Sequence, residues 1–241
     1  NLALISGDMH GLAFDDGSGP ALYAGGYFQS AGGAPALRIA RWDGTAWSAL
    51  GAGTDSDVAA WAAFDDGSGP ALYVGGSFSH AGGVAASFVA RWDGAWHPVG
   101  TGIGLGSGVL CFGVHDEGNG AALYVGGRFY GVDGQAADAI ARWDGVAWSA
   151  IAPPIGLGIG GTVRALRVHD DGGGPVLYAG GSFHNAGGAF AAGIARWNGS
   201  GWSGLADGVN TCINSFPGTV LAIESFDHGT GSALYCGGTF C

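Results

Sequence analysis

The amino-acid sequence predicts an all-β fold built from about five similar units. Glycine provides 52 of the 241 residues and hydrophobic residues 47%, a composition typical of many short strands joined by tight turns. Only 11% of residues are charged, which argues against disorder. The segment Leu-Tyr-x-Gly-Gly recurs every 50 to 57 residues, with its tyrosine at Tyr23, Tyr73, Tyr124, Tyr178 and Tyr235.

Two further anchors recur with the same period. An Ala-Arg-Trp-Asp/Asn-Gly segment places its tryptophan at Trp42, Trp92, Trp143 and Trp197. A second tryptophan follows each of them, at Trp47, Trp96, Trp148 and Trp202. Self-similarity at a fixed period is the signature of a repeat architecture, so the repeats are considered before any single motif.

Each unit is predicted to contain four short strands, which we name a, b, c and d. In the second unit, strand a covers residues 58–64 and strand b residues 71–78, with a turn of aspartates and glycines between them. Strand c ends at Trp92, and strand d begins near Trp96 after an Asp-Gly turn. Asp-Gly and Asn-Gly are the strongest short signals for a β-hairpin.

Four-stranded units of about fifty residues predict a single β-propeller domain over residues 1–241. The units cover residues 8–51, 57–100, 108–152, 162–206 and 219–241, and the last one is incomplete. Residues 1–6 are a candidate closing strand for the incomplete unit. Two alternatives stay open: the ring closes in cis through this segment, or a neighbouring molecule completes an open edge.

The repeat resembles the kelch motif, in which a glycine doublet ends an apolar strand and two spaced aromatic residues follow. The fuller string, from Leu-Tyr-Val-Gly-Gly-Ser-Phe through Ala-Arg-Trp-Asp-Gly to Trp-Ser-Ala-Leu, resembles variant repeats of bacterial surface and secreted proteins and of fungal cortical-landmark ectodomains. The resemblance implies a propeller fold. It implies no particular activity, because propellers include both enzymes and inert scaffolds.

Charge and cysteine content restrict the partners and the compartment. The chain has eight basic residues, all arginine, and a formal net charge of −11, which disfavours nucleic acid and anionic membranes as partners. No apolar run is long enough to span a membrane. Four cysteines favour an extracellular setting. We expect Cys212 to form a disulfide with Cys236 or Cys241, and Cys111 to be a free thiol in the core. Cys236 stands where the other copies have alanine or valine, so we expect its side chain to point into the packing.

The loop between strands a and b carries two adjacent acids in most copies. The first acid is the candidate calcium ligand at Asp15, Asp65, Asp116, Asp170 and Asp227. We expect it to cap its own loop instead, since calcium prefers several oxygens that converge from one loop. The second acid is expected to be a solvated charge. In the Arg-Trp-Asp segment we expect the tryptophan to pack between units, the arginine to tie loops together and the aspartate to build the hairpin.

The sequence predicts no catalytic residues, metal or cofactor. His115 and His169 stand where other copies have phenylalanine, which indicates packing, and no nucleophile motif is present. Trp61 and Tyr130 break the repeat pattern and are the candidates for a ligand-binding face. We expect a non-catalytic, secreted or cell-surface scaffold that either self-assembles, for example as a filament subunit, or binds other surface proteins. The alternative is a module that binds carbohydrate or peptide through loops on one face.

Overall fold

The computed structural model describes residues 9–151, 161–205, 208–209, 218–229 and 231–240. These residues form strands, turns and bends. None of them belongs to a helix, so the described chain has no helix that could cross a membrane. Residues 1–109 and 110–241 form two compact units, which are described separately. From here on, the first and second units mean these two parts of the chain, and the segments of about fifty residues are called repeats.

The strands of the first unit belong to two four-stranded sheets, each with a small hairpin. The first sheet region contains β1 (Met9–Asp15), β2 (Pro20–Gly26), β3 (Ser30–Ala31), β4 (Ala34–Pro35), β5 (Ile39–Trp42) and β6 (Trp47–Ala49). The second contains β7 (Val58–Asp65), β8 (Pro70–Gly76), β9 (His80–Ala81), β10 (Val84–Ala85), β11 (Val89–Trp92) and β12 (Trp96–Pro98).

The second unit repeats this arrangement and ends in a strand pair. The third sheet region contains β13 (Gly106–Asp116), β14 (Ala121–Phe129), β15 (Gly131–Val132), β16 (Gln135–Ala136), β17 (Ile140–Trp143) and β18 (Trp148–Ala150). The fourth contains β19 (Thr162–Asp170), β20 (Pro175–Ser182), β21 (Asn185–Ala186), β22 (Ala189–Phe190), β23 (Ile194–Trp197) and β24 (Trp202–Gly204). The last pair is β25 (Thr219–Asp227) and β26 (Ser232–Thr239).

All four sheets have the same antiparallel a-b-c-d strand order, as in β1-β2-β5-β6. The register between strands b and c is also constant, because the tyrosine of Leu-Tyr always faces the arginine of Arg-Trp: Tyr23 pairs with Arg41, and Tyr178 with Arg196. Residues that pair directly across antiparallel strands share one face. The tyrosine hydroxyl and the guanidinium of every sheet are therefore brought to the same place.

The core lies between the faces of successive sheets within each unit. In the first unit, Tyr23 and Ile39 of the first sheet pack with Val58 and Trp61 of the second. In the second unit, Tyr178 and Ile194 of the fourth sheet pack with Val220 and Ile223 of β25. The first and fourth sheets thus bury their tyrosine-bearing faces against the strand a that follows in the same unit.

The two positions of each doublet require glycine for different structural reasons. The first leaves room for the following sheet: a Cβ built on Gly25 would lie 2.7 Å from Val58 Cγ1. The second lies opposite a β-bulge, where a Cβ on Gly181 would collide with the carbonyl oxygen of Thr162. Glycine in a strand commonly marks a bulge or a close approach of another backbone, and here one doublet does both.

The predicted strands and hairpins are confirmed, and one expectation about packing is wrong. We expected Cys236 to point into the packing, as its counterparts in the other copies do, but it is exposed. The reason is that β26 has a strand on one side only among the described residues, whereas β2, β8, β14 and β20 are flanked on both sides. The candidate closing strand, residues 1–6, lies outside the described residues.

Candidate functional site

The first acid of each a–b loop caps its own turn, as expected. One carboxylate oxygen accepts hydrogen bonds from two backbone N–H groups, two and four residues later, over 2.7–3.2 Å. The donors are glycines with left-handed backbone, such as Gly17 (φ 92°) and Gly19 (φ 107°). The capping acids are Asp15, Asp65, Asp116, Asp170 and Asp227. Their loops are therefore rigid turns of repeated geometry.

The second acid is not a solvated charge, and that expectation is wrong in the first two sheets. Asp16 accepts a hydrogen bond of 2.6 Å from the Tyr23 hydroxyl and lies 3.7 Å from the Arg41 guanidinium. Asp66 receives the equivalent bond from Tyr73 at 2.8 Å and lies 3.2 Å from Arg91. The constant register between strands b and c causes this, since it aims tyrosine and arginine at one loop position.

The fourth sheet has a looser version of the same cluster. Asp171 lies 3.4 Å from the Tyr178 hydroxyl and 3.3 Å from Arg196. We call the acid, tyrosine and arginine of one sheet its loop cluster. In the β25–β26 pair, His228 takes the place of the acid.

Burial and hydrogen bonding in the loop clusters shift pKa values in opposite directions. Burial by itself would raise the pKa of the Asp16 carboxyl, but hydrogen bonds from Ser18 and Tyr23 and the charge of Arg41 hold it below its ordinary value. Asp66 behaves in the same way. Burial, together with the bond to Asp16, raises the pKa of Tyr23 to about 12. The loop cluster of the first sheet therefore holds an ionised acid beside a neutral tyrosine at neutral pH.

The arginine and the aspartate of Arg-Trp-Asp act as expected. Arg41 joins loop to sheet through Ser18 Oγ at 2.7 Å and the Tyr23 hydroxyl at 3.2 Å. Asp43 Oδ1 accepts hydrogen bonds from the N–H groups of Thr45 and Ala46 across the hairpin, at 2.7 and 2.8 Å. Asn198 does the same in the fourth sheet, so aspartate and asparagine are interchangeable there.

The paired tryptophans lie across strands c and d. In each sheet their ring centres are 5.0–5.5 Å apart. Trp143, Trp148, Trp197 and Trp202 are buried, as is Trp96, whose indole donates to the Leu50 carbonyl of the preceding sheet at 3.0 Å. The expected packing between repeats is confirmed for Trp96, Trp197 and Trp202, which contact residues of the preceding repeat. Trp42, Trp47 and Trp92 are half-buried.

The third sheet departs from the pattern and borders a cleft. Its second acid is Glu117, whose longer side chain accepts a 2.6 Å hydrogen bond from the Trp197 indole of the fourth sheet. The Tyr124 hydroxyl is buried beside Glu117 and Arg142, and burial, followed by its interaction with Glu117, raises its pKa. These residues, with Ser149 and Ser200, line a cavity of about 290 Å³. The substitution of glutamate for aspartate is the sequence signal that could have identified this cross-sheet contact.

The histidines serve packing or capping. His115 and His169 are buried beside Tyr124 and Tyr178, in the place that Phe64 takes beside Tyr73, which confirms the packing prediction. Sequence reasoning missed His80, whose Nδ1 lies 3.1 Å from Asp55. Asp55 also accepts hydrogen bonds from the backbone N–H groups of Ser79 and His80, so this cluster fixes a turn. No three metal-ligating side chains converge among the residues described.

The two ligand-face candidates lie in different compact units. Trp61 is half-buried and packs on Gly25 of the first sheet. Tyr130 is 38% exposed, between β14 and β15. Cys111 is a buried free thiol, as expected, and burial raises its pKa. Cys236 is also a free thiol; its predicted partner, Cys212, lies outside the described residues, as does Cys241.

No protein-family model matches the chain, and no curated protein matches it either.

Proposed function

We propose that the chain is a kelch-like β-propeller that acts as a non-catalytic scaffold, secreted or on the cell surface, and assembles with itself or with other surface components. The repeated four-stranded sheets, packed face to face within each compact unit, support the propeller arrangement. The network of capping acids and paired arginines uses the repeated polar residues to hold the loops.

One observation carries the scaffold function. Phe226 and Tyr235 of the β25–β26 pair are 61% and 47% exposed, although the tyrosines at the same position in the four sheets are buried. Large exposed apolar side chains grouped on one face indicate a contact surface. Among the described residues β26 is also an edge strand, and such a strand is a template for pairing with another chain.

The scaffold function is tested by the association state of the full chain. We expect light scattering at micromolar concentration to show complexes larger than one chain, or capture of a surface component by the immobilised protein. The measurement is repeated with reductant, because oxidation of the exposed Cys236 thiol would otherwise add covalent dimers. A chain that stays monomeric and captures nothing contradicts the proposal.

A second candidate function is carbohydrate binding, and the cleft beside Glu117 favours it. The cleft is lined by carboxylate, guanidinium and hydroxyl groups and by the aromatic rings of Tyr124 and Trp197. Such groups are suited to binding sugar hydroxyls, and the volume of about 290 Å³ fits a small ligand. A glycan array tests this function. Binding that Glu117→Gln and Ser149→Ala weaken places the site in the cleft, and binding lost in Trp61→Ala or Tyr130→Ala places it at the residues that break the repeat pattern.

A further inference from the structure

The hairpin between strands c and d of the fourth sheet differs from the other three in its capping residue. The capping position holds aspartate in the first three sheets and Asn198 in the fourth. In the first sheet, hydrogen bonds from Ala46 and Thr45 hold the pKa of Asp43 below its ordinary value, so that residue is a carboxylate at neutral pH. A carboxylate resists attack by a nucleophile, whereas the uncharged side-chain amide of Asn198 can react.

An asparagine that is followed by glycine is prone to lose its side-chain nitrogen as ammonia. Glycine has no Cβ, so its backbone nitrogen can approach the preceding side chain closely. The chain contains this dipeptide twice, as Asn119-Gly120 and as Asn198-Gly199. Both asparagines are exposed, so neither the sequence nor the exposure distinguishes the two sites.

The backbone nitrogen that would attack is held differently at the two sites. The Gly120 N–H donates to Asp116 Oδ1 at 3.0 Å, so this nitrogen is fixed in its capped loop. The Gly199 N–H makes no hydrogen bond within the part of the chain that the structure describes. A Cβ built on Gly199 would meet one described atom within 4 Å, the Glu117 carboxyl carbon at 3.9 Å. The Gly199 nitrogen can therefore react without breaking an existing hydrogen bond.

The side-chain oxygen of Asn198 is surrounded by hydrogen-bond donors. Asn198 Oδ1 accepts bonds from the Ser200 N–H at 3.1 Å, the Ser200 hydroxyl at 3.0 Å and the Gly201 N–H at 2.9 Å. Attack at the side-chain carbon places negative charge on this oxygen, and donors at about 2.7–3.1 Å stabilise such an oxyanion. The turn that caps the hairpin therefore also favours attack on its own asparagine.

We propose that Asn198 is a site of spontaneous deamidation, and that the fold makes it more reactive than Asn119. Hydroxide removes the Gly199 amide proton, and the nitrogen attacks Asn198 Cγ to form a new C–N bond. The bond between Cγ and Nδ2 then breaks, and Nδ2 takes a proton from water and leaves as ammonia. Water opens the resulting five-membered imide at either of its carbonyl carbons, which gives aspartate or isoaspartate. Water is the only co-reactant, and the inference does not depend on the proposed scaffold function.

The two products change the hairpin in different ways. Aspartate can keep the turn, because Asp43 and Asp144 accept the equivalent backbone hydrogen bonds in their own hairpins. Isoaspartate adds a methylene group to the main chain and displaces Ser200, which lines the cleft together with Glu117. Both products place a new negative charge beside that cleft.

The test compares the two asparagines within one sample of the full chain. The protein is incubated in mildly alkaline buffer, and tandem mass spectrometry of its peptides measures the conversion of each asparagine over time. We expect Asn198 to react at least about tenfold faster than Asn119, which corresponds to about 1.4 kcal/mol in the barrier. Equal rates, or a faster reaction at Asn119, overturn the inference.

The same comparison in denaturant separates the effect of the fold from that of the local sequence. Unfolding releases the Gly120 N–H from Asp116 and removes the donors that surround Asn198 Oδ1. We therefore expect the two rates to approach each other in the unfolded chain. A difference that persists undiminished in denaturant belongs to the local sequence and overturns the inference.

Variants test the hydrogen bonds one at a time. Ser200→Ala removes a donor to Asn198 Oδ1 and should slow the reaction at Asn198 several-fold, with Asn119 as the internal control. Asp116→Ala releases the Gly120 N–H and should accelerate the reaction at Asn119. Asp116→Asn keeps an acceptor oxygen and is the matched control, which should leave Asn119 slow. Circular dichroism checks that each variant is folded, and unchanged rates in folded Ser200→Ala and Asp116→Ala overturn the inference.

Discussion

Single side chains in this protein have roles that depend on their register in the sheet. The tyrosine of Leu-Tyr-x-Gly-Gly is buried in all four sheets, and in the first two its hydroxyl donates to the second acid of its own loop. A buried hydroxyl without a partner costs free energy. Because the acid accepts the hydrogen bond of the hydroxyl, the large tyrosine ring can be buried without leaving a polar atom unsatisfied.

Alkaline pH should destabilise the protein through these tyrosines. The pKa of Tyr23 is about 12 in the fold, against an ordinary value near 10. A raised pKa means that the neutral form is favoured by folding, so its contribution is present below pH 10 and is lost as the pH rises through 12. We expect the free energy of unfolding to fall over that range in urea titrations. Tyr23→Phe should show a shallower fall, and an identical pH dependence would contradict the assignment.

The loop clusters should also make the protein sensitive to acid. Burial would raise the pKa of Asp66, but hydrogen bonds from Ser68 and Tyr73 and the charge of Arg91 hold it below its ordinary value. These contacts therefore stabilise the fold above that value, and their contribution is lost as the pH falls through the folded pKa. Asp66→Asn should therefore be less stable than the unmodified protein at neutral pH and equally stable in strong acid. Denaturant titrations of both proteins at neutral pH and in strong acid measure this convergence, and a difference that persists in strong acid would contradict the assignment.

The tryptophan pairs give a test of packing. Trp143 is 7% exposed and lies 5.2 Å from Trp148. Trp143→Ala should cost about 3–5 kcal/mol, as truncation of a large buried aromatic residue typically does. Chemical denaturation followed by circular dichroism measures the loss. Val146→Ala, at a hairpin tip where Val146 is 86% exposed, is the control; similar losses in both variants would contradict the assignment.

At the scale of the strand, the glycine doublet explains why strand b tolerates little change. Gly181 lies opposite the bulge of β19, where a Cβ would meet the carbonyl oxygen of Thr162. Gly181→Ala should destabilise the protein by about 1–3 kcal/mol, the usual cost of overpacking. Gly201→Ala, which has open space, should change stability by less than about 0.5 kcal/mol. Thermal denaturation distinguishes the two, and equal midpoints would show that the bulge can relax.

Most of the strand arrangement could be predicted from the sequence, because tight turns and glycine doublets are local signals. The Asp-Gly hairpins and the capping acids are examples. The small hairpins such as β3–β4 could not be predicted, since two-residue strands carry no periodicity. The loop clusters were missed for another reason. A pairing such as that of Asp16 with Arg41 depends on the register between strands b and c, which the spacing of motifs does not determine.

The exposed position of Cys236 shows the limit of comparing repeats. Its counterparts lie in strands flanked on both sides, so alignment with them predicted burial. Exposure depends on which strands surround a residue, and this information is not present in the repeat itself. The same holds for Trp61, whose contact with Gly25 becomes apparent only when neighbouring sheets are considered together.

For the whole molecule, net charge should control association. The chain carries a formal charge of −11, with a sequence pI near 4.6. A net charge far from zero keeps proteins apart, and one near zero promotes association. Light scattering should therefore rise as the pH approaches 4.6. If the rise is electrostatic, added salt will reduce the difference between neutral and acidic pH; a rise that is independent of salt would indicate unfolding instead.

The pairing of valine with glycine also gives the stack of sheets a direction within each unit. A sheet carries the valine of strand a on one face and the glycine of strand b on the other, so the same two kinds of face meet at each such junction. A duplicated repeat inserted between two sheets would bring its own valine and its own glycine, and it would leave the neighbouring junctions unchanged. Such a protein can change in length by whole repeats without new core contacts. A repeat inserted in the opposite orientation would place one valine-bearing face against another.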